Sequence, residues 1–418
     1  MKHRLLILGT LGEFVQLVKK SKERGYYTIV CDGYPDGPAR QYADASYVIP
    51  VTDIDAVAEL CQKEKVDGII TSFSDLLMEC MVKIAEKAGL PCYLKPEQLC
   101  WYRDKSACRE LLSKLGLPTP GFVKVPAAEQ NEYKLAEITA GLKYPLISKP
   151  LDKYGSRGIY IIYDDRELAA QVTRTAEFTD LEQLAGSVRK TAEFTDLDEI
   201  LIEEYNDGFE FNMMTWVSDG AVRVISIADR EKTQFAEGEL PESTRNVYPS
   251  CLIDKVEEPA VSLLQSYIEY TGQKEGPLSM QFFWKAGEGI QVCEIAARFF
   301  GYEHELTDMV YCFNMEELLL NYVYDNEYVT KMLEAQDIRK PLMHGAVLYF
   351  HGRLKQIQEQ QAAYELAEDK AVVKPWIFYE AGEEVVAYGP NPYLALYYIE
   401  AGSREELDEI SRDFFEKM

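Results

Sequence analysis

The stretch YPLISKPLDKYGSRGIYII, residues 144–162, is the most informative part of this sequence. Its first apolar run ends at Lys149, and a basic loop containing Gly155 and Gly158 leads into a second β-branched run. A Walker A loop has its lysine after the glycines and continues as a helix, so the order here is different. A strand that ends on a lysine, a glycine loop and a second strand predict a hairpin whose ammonium and backbone N–H groups close over an anion. The alternative is a surface hairpin with ordinary lysines.

The length and charge of the chain limit its organisation and its partners. With 418 residues it is too long for a single core, which predicts two or three domains. A formal net charge of −26 repels phosphate backbones and anionic lipid, so nucleic acid and membranes are not expected partners. No apolar run reaches the length of a membrane span, and Glu13 interrupts the apolar start, which predicts a first strand rather than a leader. The nine cysteines include no C-x-x-C pair, so we expect reduced thiols in a cytoplasmic protein.

The N-terminal part of the chain alternates strand and helix patterns. The expected strands are residues 4–9, 27–32 and 66–72, and the expected helices are residues 13–25, 55–65 and 76–89. This alternation predicts βαβ units and a parallel sheet, whose ligands bind at the carboxyl ends of the strands. The loops at those ends contain Gly9, Gly12, Ser72 and Asp75. The G-x-G-x-x-G fingerprint is absent, so a dinucleotide site has little support.

The rest of the chain carries strand patterns of another kind. Residues 144–163, 200–230 and 278–295 each contain apolar runs separated by turn residues, which predicts antiparallel strands. The C-terminal end alternates short strands with helix patterns, which indicates a small α+β region. One segment is unusual, because TAEFTDLEQL at 175–184 recurs as TAEFTDLDEI at 191–200. We interpret this repeat as a tandem duplication in a surface segment.

The segment ILIEEYNDGFEF, residues 200–211, concentrates carboxylates at the end of an apolar strand. Glu203 and Glu204 end the strand, and Glu210 follows a turn at Gly208. Carboxylates in this position can accept hydrogen bonds from an adenine amino group or from ribose hydroxyls. In so acidic a chain, composition alone favours a solvated acidic turn.

The segment MQFFWKAGEGIQVCEIAARFFGYEHE, residues 280–305, has the residue types of a metal site. Gln281 and Glu294 lie on two strands joined by a tight turn, so their side chains can share one face. One amide oxygen, one carboxylate and substrate phosphates suit Mg²⁺, which prefers few protein ligands. Arg298 offers a planar cation for an acyl or phosphoryl group.

Three further residues are candidates for contacts with substrate. Arg230 lies between the central strands and could hold a carboxylate, or it is a solvated charge. Glu303 and His304 are candidates for a general base. A lone histidine is usually structural, but this one follows the possible metal segment, so both roles stay open for His304.

Five elements in fixed order resemble the ATP-grasp superfamily over roughly residues 1–325. An α/β segment is followed by RDKSACRELLSKLGLPTP, YPLISKPLDKYGSRGI, LIEEYNDGFEF and CEIAARFFG. Ordered matches of this kind are far more specific than a single glycine motif. The resemblance implies that the hairpin at 144–162 is a lid over ATP phosphates, between two antiparallel sheets.

The resemblance also implies a multidomain fold of the α/β and α+β classes. A parallel α/β pre-ATP-grasp domain is expected at 1–95. A two-lobed ATP-grasp domain with antiparallel sheets that clasp ATP is expected at 96–325, with its lid at about 120–200. A small C-terminal α+β cap is expected at 326–418.

Roles for individual residues follow from the same resemblance. The expected ATP-binding residues are Lys105, Lys149, Ser156, Gly158, Glu203, Glu204 and Glu210. The expected ligands of Mg²⁺ or Mn²⁺ are Gln281 and Glu294, the expected catalytic residues are Arg298 and Lys149, and the expected substrate contacts are Gly9, Ser72, Asp75, Arg230 and His304. Gln281 stands where most members have an acidic residue, and Ala296 stands where many have asparagine. Both variations resemble ones found in branches of the superfamily.

ATP-grasp enzymes mostly activate a carboxylate as an acyl phosphate, which an amine then attacks. The resemblance therefore implies a Mg-dependent ligase whose partners are a small-molecule carboxylate and an amine. Two alternatives stay open: a carboxylase-type enzyme that activates bicarbonate, and a non-catalytic ATP-binding module. Family members are often dimers, which leaves a homodimer as an alternative to a monomer.

Overall fold

A computed structural model describes residues 2–129, 131–151, 158–163, 187–195, 197–233, 241–351, 357–379, 383 and 393–417. The strands are β1 Arg4–Leu8, β2 Tyr27–Asp32, β3 Ala45–Val48, β4 Gly68–Ile70, β5 Phe122–Pro126, β6 Leu146–Pro150, β7 Tyr160–Ile162, β8 Glu199–Glu204, β9 Phe209–Ser218, β10 Ala221–Lys232, β11 Ser243–Tyr248, β12 Gly276–Lys285, β13 Gly289–Ala296, β14 His344–His351, β15 Val372–Ile377 and β16 Tyr393–Ala401. The helices are α1 Val15–Glu23, α2 Ile54–Glu64, α3 Asp75–Ala88, α4 Cys100–Arg103, α5 Lys105–Lys114, α6 Glu132–Thr139, α7 Ile253–Thr271, α8 His304–Tyr311, α9 Met315–Tyr324, α10 Asn326–Ala335, α11 Ile357–Leu366 and α12 Arg404–Lys417. Short 3₁₀ helices span Gly12–Phe14, Pro38–Tyr42 and Pro96–Gln98.

The N-terminal sheet is parallel, as the βαβ pattern predicts. Its strand order is β3-β2-β1-β4, with β1 paired to both β2 and β4. The run from Leu5 to Leu8 is fully buried, which is typical of a central parallel strand covered on both faces. The side chain of Ser74 caps α3 by accepting a hydrogen bond from the backbone N–H of Leu77 at 3.4 Å. This cap begins the helix directly after the loop at the end of β4.

Gly9 ends β1 in a backbone conformation that favours glycine. Its φ is +109°, and a Cβ at this position would lie 2.5 Å from the ring of Phe14. We expect Gly9→Ala to lower the free energy of unfolding by about 2–5 kcal/mol in chemical denaturation, because backbone strain and overpacking add. The matched control is Gly25→Ala, where φ is +80° and no described neighbouring atom lies within 4 Å of the new Cβ. This control should cost only about 1–2 kcal/mol, and equal losses in the two variants would contradict the steric explanation.

Two antiparallel sheets follow, as expected for the central part of the chain. The small sheet has the order β5-β8-β6-β7, and its apolar face packs Val125, Leu146, Ile162 and Ile202 into a separate core. The large sheet has eight strands in the order β13-β12-β9-β10-β11-β14-β16-β15. The hairpin expected at 278–295 is the β12–β13 edge of this large sheet.

The C-terminal strands extend the large sheet instead of forming a sheet of their own. Strand β14 pairs with β11, placing Val347 opposite Asn246, and β16 and β15 follow on its other side. The sequence pattern predicts these strands but not their partner, because strand pairing is set by contacts between distant segments. The region expected as a cap is therefore continuous with the sheet that forms one wall of the candidate site.

Several expectations concern the whole chain rather than one domain. All nine cysteines are free thiols. Among the described residues, no helix has the length and apolarity needed to cross a bilayer. Ser156 and the first copy of the repeat, residues 175–184, lie outside the described residues.

Candidate active site

A cleft opens between the small sheet and the large sheet. Lys149 and Glu203 line it from the small sheet, and Glu210, Arg230 and Gln281 line it from the large sheet. The empty space of this cleft, which is open to solvent, is about 710 Å³. A smaller cavity beside it is lined by Asp75, Lys105 and Glu294, and Arg109 and Cys293 line both spaces. The expected ATP-binding, metal and catalytic residues thus come from separate elements to one region.

Glu203 is the centre of a buried ion-pair cluster. Lys149 Nζ lies 2.5 Å from Glu203 Oε2, and Arg109 Nε donates to the other carboxylate oxygen. Burial alone would raise the pKa of Glu203, but the charges of Arg109 and Lys149 outweigh it and lower the pKa to about 2. The pair with Glu203 holds the Lys149 ammonium at the cleft wall. The expected contact between Glu203 and adenine stays a prediction.

Arg109 is a site residue that the sequence motifs do not reveal. It lies one turn after Lys105 on α5, and its Nη2 donates to the carbonyl oxygen of Cys293 at 2.6 Å. Lys105 Nζ lies 3.5 Å from the carbonyl oxygen of Leu151, and burial lowers its pKa while the carboxylate of Glu294 opposes that change. The four-residue spacing of Lys105 and Arg109 on one helix is the sequence feature that could have indicated Arg109, because it places both cations on the same face.

Glu210 is also surrounded by donors. Arg230 Nε lies 2.8 Å from Glu210 Oε1, and Lys232 Nζ and Gln281 Nε2 also contact this carboxylate. Burial would raise the pKa of Glu210, but the charges of Arg230 and Lys232 lower it. The expected contacts of Glu210 with ribose and of Arg230 with substrate stay predictions.

Glu204 and Gly158 complete the expected ATP-binding residues within the described part of the chain. The carboxylate of Glu204 lines the cleft and accepts a hydrogen bond from the backbone N–H of Lys143 at 2.9 Å. Gly158 has φ +69°, and a Cβ there would lie 2.6 Å from the side chain of Phe194. A side chain is therefore excluded at Gly158, as expected for a tight loop.

Gln281 and Glu294 form the cross-strand pair that the hairpin predicts. They lie directly opposite each other, and a register shift follows between Gln281 and Phe282. This irregularity bends the hairpin next to the pair, as bulges near functional sites do. The Glu294 side chain is 40% exposed, and its Oε1 lies 3.8 Å from Arg298 Nη2.

These two residues fit a magnesium site that is completed by a nucleotide. The described residues contain no group of three His, Cys, Asp or Glu side chains that could hold a metal ion alone. An exposed carboxylate and an amide oxygen are hard ligands, and Mg²⁺ commonly takes its other ligands from phosphates and water. The donor set therefore suits Mg²⁺ bound together with phosphates, and not an all-protein metal centre.

Arg298 is held by residues that follow the last strand of the N-terminal sheet. Its Nε and Nη2 donate to the two oxygens of Asp75 at 3.0 and 2.7 Å. The Ser72 hydroxyl accepts a hydrogen bond from the backbone N–H of Phe299 at 3.4 Å. Ser72 and Asp75 at the end of β4 thus position the arginine, and their direct contact with substrate, like that of Gly9, stays a prediction.

His304 lies in a buried pocket of its own. Its ring stacks on Phe73 at 4.4 Å, and its Nε2 lies 3.1 Å from Glu305 and 3.3 Å from Glu316. Burial would lower the pKa of His304, but the two carboxylates raise it to about 9. Only 1% of the residue is exposed and it lines neither cavity described above, so a contact with substrate stays a prediction.

Comparison with known proteins supports the ATP-grasp resemblance. A family model for an ATP-grasp domain matches residues 142–305, and a model for a PylC-like N-terminal domain matches residues 5–90. Formate-dependent phosphoribosylglycinamide formyltransferase from Synechococcus sp. (strain CC9902) is 28% identical over 165 residues, 39% of this chain and 40% of that protein. The C-terminal section of the carbamoyl phosphate synthase large chain from Methanopyrus kandleri is 25% identical over 191 residues, 42% of this chain and 34% of that protein. The matches thus span 40% or less of the length of these two relatives.

Solved structures resemble the whole chain. L-amino acid ligase from Bacillus licheniformis has a TM-score of 0.75 at 19% identity, covering 100% of this chain and 98% of that one. N5-carboxyaminoimidazole synthetase from Staphylococcus aureus, complexed with ADP, has a TM-score of 0.70 at 16% identity, again covering 100% and 98%. At 19% and 16% identity, this similarity shows the fold alone. Together with the two family models, it shows that this chain carries an ATP-grasp domain preceded by a PylC-like N-terminal domain.

Proposed function

We propose that this protein is an ATP-dependent ligase that activates a small carboxylate as an acyl phosphate and joins it to an amine. ATP would bind in the cleft between the two antiparallel sheets, with Lys105 and Lys149 on its phosphates. The observation that carries the proposal is the arrangement of Gln281, Glu294 and Arg298 beside these two lysines. A cation-lined cleft with a hard-ligand pair is suited to phosphoryl transfer.

The residues act mainly by position and charge. A carboxylate is a poor electrophile, and phosphorylation gives it a leaving group. Lys105, Lys149 and Arg298 would hold the phosphates in line with the carboxylate and offset their charge. Mg²⁺ held by Glu294 and Gln281 would further neutralise the phosphate oxygens. The hairpin at 144–162, the expected lid, would exclude water that would otherwise hydrolyse the acyl phosphate.

Relatives with similar domains act on different small molecules, and their names support a ligase without naming this substrate. We propose that residues 1–95 contribute to the substrate side, because Asp75 and Ser72 already hold the arginine segment. We propose residues 96–325 as the ATP-binding unit and residues 326–418 as a cap. The strands of this cap, β14, β15 and β16, belong to the large sheet. A homodimer and a cytoplasmic location stay predictions.

The test is ADP release from Mg-ATP in the presence of single amino acids, other small carboxylates or bicarbonate, with and without hydroxylamine. Hydroxylamine traps an acyl phosphate as a hydroxamate, so it identifies the carboxylate when the natural amine is missing. We expect one class of carboxylate to give both ADP and a hydroxamate, and omission of Mg²⁺ to abolish both. Stimulation by bicarbonate alone would favour the carboxylase type instead. Bound ATP without turnover across the panel would contradict both enzymatic functions.

A further inference from the structure

A buried polar cluster lies beside the cleft and has no role in the proposal above. Its centre is the carboxylate of Glu303, which is 2% exposed. Asn212 Nδ2 donates to Glu303 Oε1 at 2.6 Å, and Tyr248 Oη donates to Oε2 at 2.5 Å. The side chain of Asn246 also acts on this carboxylate and lowers its pKa, and its Nδ2 donates to the hydroxyl of Tyr349 at 2.9 Å.

The register of the large sheet places this cluster at the border of the cleft. Asn212 lies directly opposite Gln281, and Asn246 lies directly opposite Arg230. Directly opposite residues project from the same face of a sheet. Since Gln281 and Arg230 line the cleft, the Glu303 cluster is their neighbour on that face.

The cluster contains hydrogen-bond acceptors without donors. Asn212 Oδ1 and Asn246 Oδ1 have no hydrogen-bond partner among the described residues, and each side chain is only 1% exposed. Proteins pair nearly all buried polar atoms, so two unpaired carbonyl oxygens around one carboxylate indicate a ligand. Because the unused capacity is that of acceptors, the ligand must donate. An ammonium group supplies three donors and a positive charge next to Glu303.

We propose that Glu303, with the amide oxygens of Asn212 and Asn246, binds the ammonium group of the amine substrate and accepts one of its protons. This inference rests on the ligase function proposed above. It assigns the amine to the part of the large sheet between the metal pair and the C-terminal strands. The positive charge of Arg230 also acts on Glu303, but Arg230 is already balanced by Glu210 at 2.8 Å.

The reaction step balances with these groups. An R–NH₃⁺ group gives one proton to Glu303, and the freed electron pair on nitrogen attacks the acyl carbon. The nitrogen pair forms the C–N bond, the C–O bond to the phosphoryl group breaks, and phosphate leaves with the electron pair of that C–O bond. The departing phosphate accepts the second N–H proton, and Glu303 later returns its proton to solvent.

The environment of Glu303 supports this use. Burial raises the pKa of Glu303, and the hydrogen bonds from Tyr248 and Asn212 oppose the rise. A carboxylate with a raised pKa is a better acceptor of a proton at neutral pH than an exposed one.

The experiment compares two nucleophiles in the full-length protein with the carboxylate that gives the best hydroxamate yield. Hydroxylamine is mostly unprotonated at neutral pH and needs no base, whereas ammonium chloride supplies a protonated amine. We expect Glu303→Gln to lower amide formation from ammonium by about 100-fold or more while hydroxamate formation stays within about twofold. Asn246→Ala should raise the ammonium concentration needed for half-maximal rate about tenfold, without a change in charge.

The control is Asp229→Asn, a buried carboxylate that pairs with Arg404 Nη1 at 2.7 Å and projects from the opposite face of the sheet. It should leave both products unchanged. Equal loss of amide and hydroxamate in Glu303→Gln, or no loss of amide, would overturn the inference. A wild-type protein that forms hydroxamate but no amide from ammonium would also overturn it, with the ligase function intact. A wild-type protein that forms no hydroxamate would refute the proposed function itself, and this inference with it.

Discussion

An Arg298→Lys variant should bind Mg-ATP almost normally and release ADP about 100- to 1,000-fold more slowly, as for the loss of a donor that stabilises the transition state. Arg298 uses two nitrogens to pair with Asp75 at 3.0 and 2.7 Å, which orients the guanidinium beside Glu294. Lysine keeps the charge but has no planar fork, so it cannot keep this geometry and face the transferred group together. The measurement is carboxylate-dependent ADP release at saturating ATP, with nucleotide affinity measured separately by calorimetry.

The control for this prediction is Arg404→Lys. Arg404 also bridges carboxylates, at 2.7 Å from Asp229 and 2.8 Å from Glu231, but it lies on the C-terminal helix α12. This variant should keep its rate of ADP release even if its unfolding midpoint falls. Turnover that is unchanged in Arg298→Lys would remove Arg298 from the catalytic residues, whereas a parallel loss of ATP affinity would assign it to nucleotide binding.

An Arg109→Met variant should lose about 3–5 kcal/mol of unfolding free energy, because it leaves the buried carboxylate of Glu203 with one partner. Arg109 and Glu203 are 4% and 1% exposed, so water cannot replace the lost charge. The double variant Arg109→Met/Glu203→Gln should recover part of the loss, since a neutral side chain at 203 needs no second charged partner and water in the cleft can solvate the Lys149 ammonium. Chemical denaturation of both variants gives the comparison.

An exposed pair provides the matched control. Lys285 and Asp207 are 2.8 Å apart, but their side chains are 45% and 70% exposed. Lys285→Met should leave the free energy of unfolding nearly unchanged, because solvent screens such pairs. If the double variant at Arg109 and Glu203 were as unstable as the single one, packing of the arginine stem, and not charge balance, would explain the loss.

The sequence is most informative where structure depends on near neighbours. The alternation of apolar runs and helix patterns predicts the parallel sheet around Leu5–Leu8 and the hairpin that pairs Gln281 with Glu294. Both rest on periods of two or 3.6 residues, which are local properties of the chain. The loop after Lys149 and the order of the motifs predict two antiparallel sheets, and the large and small sheets confirm that expectation.

The sequence does not predict the ion-pair partners of the charged residues, because those partners depend on how distant segments pack. Asp75 is expected from the sequence as a substrate contact, yet it pairs with Arg298, 223 residues later. Arg109 lies in a helix of unremarkable pattern, and its role depends on Glu203, 94 residues away. No local period encodes such pairs, since a side chain acquires its electrostatic surroundings only when the sheets and helices come together.

The sequence by itself therefore determines the strands, the helices and the residue types that phosphate and magnesium chemistry need at Lys149, Glu294 and Arg298. The packed fold determines which carboxylates are neutralised, as at Glu203, and which keep unpaired acceptors around them, as at Glu303. It also joins the C-terminal strands to the sheet that lines the site by pairing β14 with β11. The physical reason is that secondary structure follows from short-range periodicity, whereas burial and charge balance follow from contacts between segments far apart in the chain.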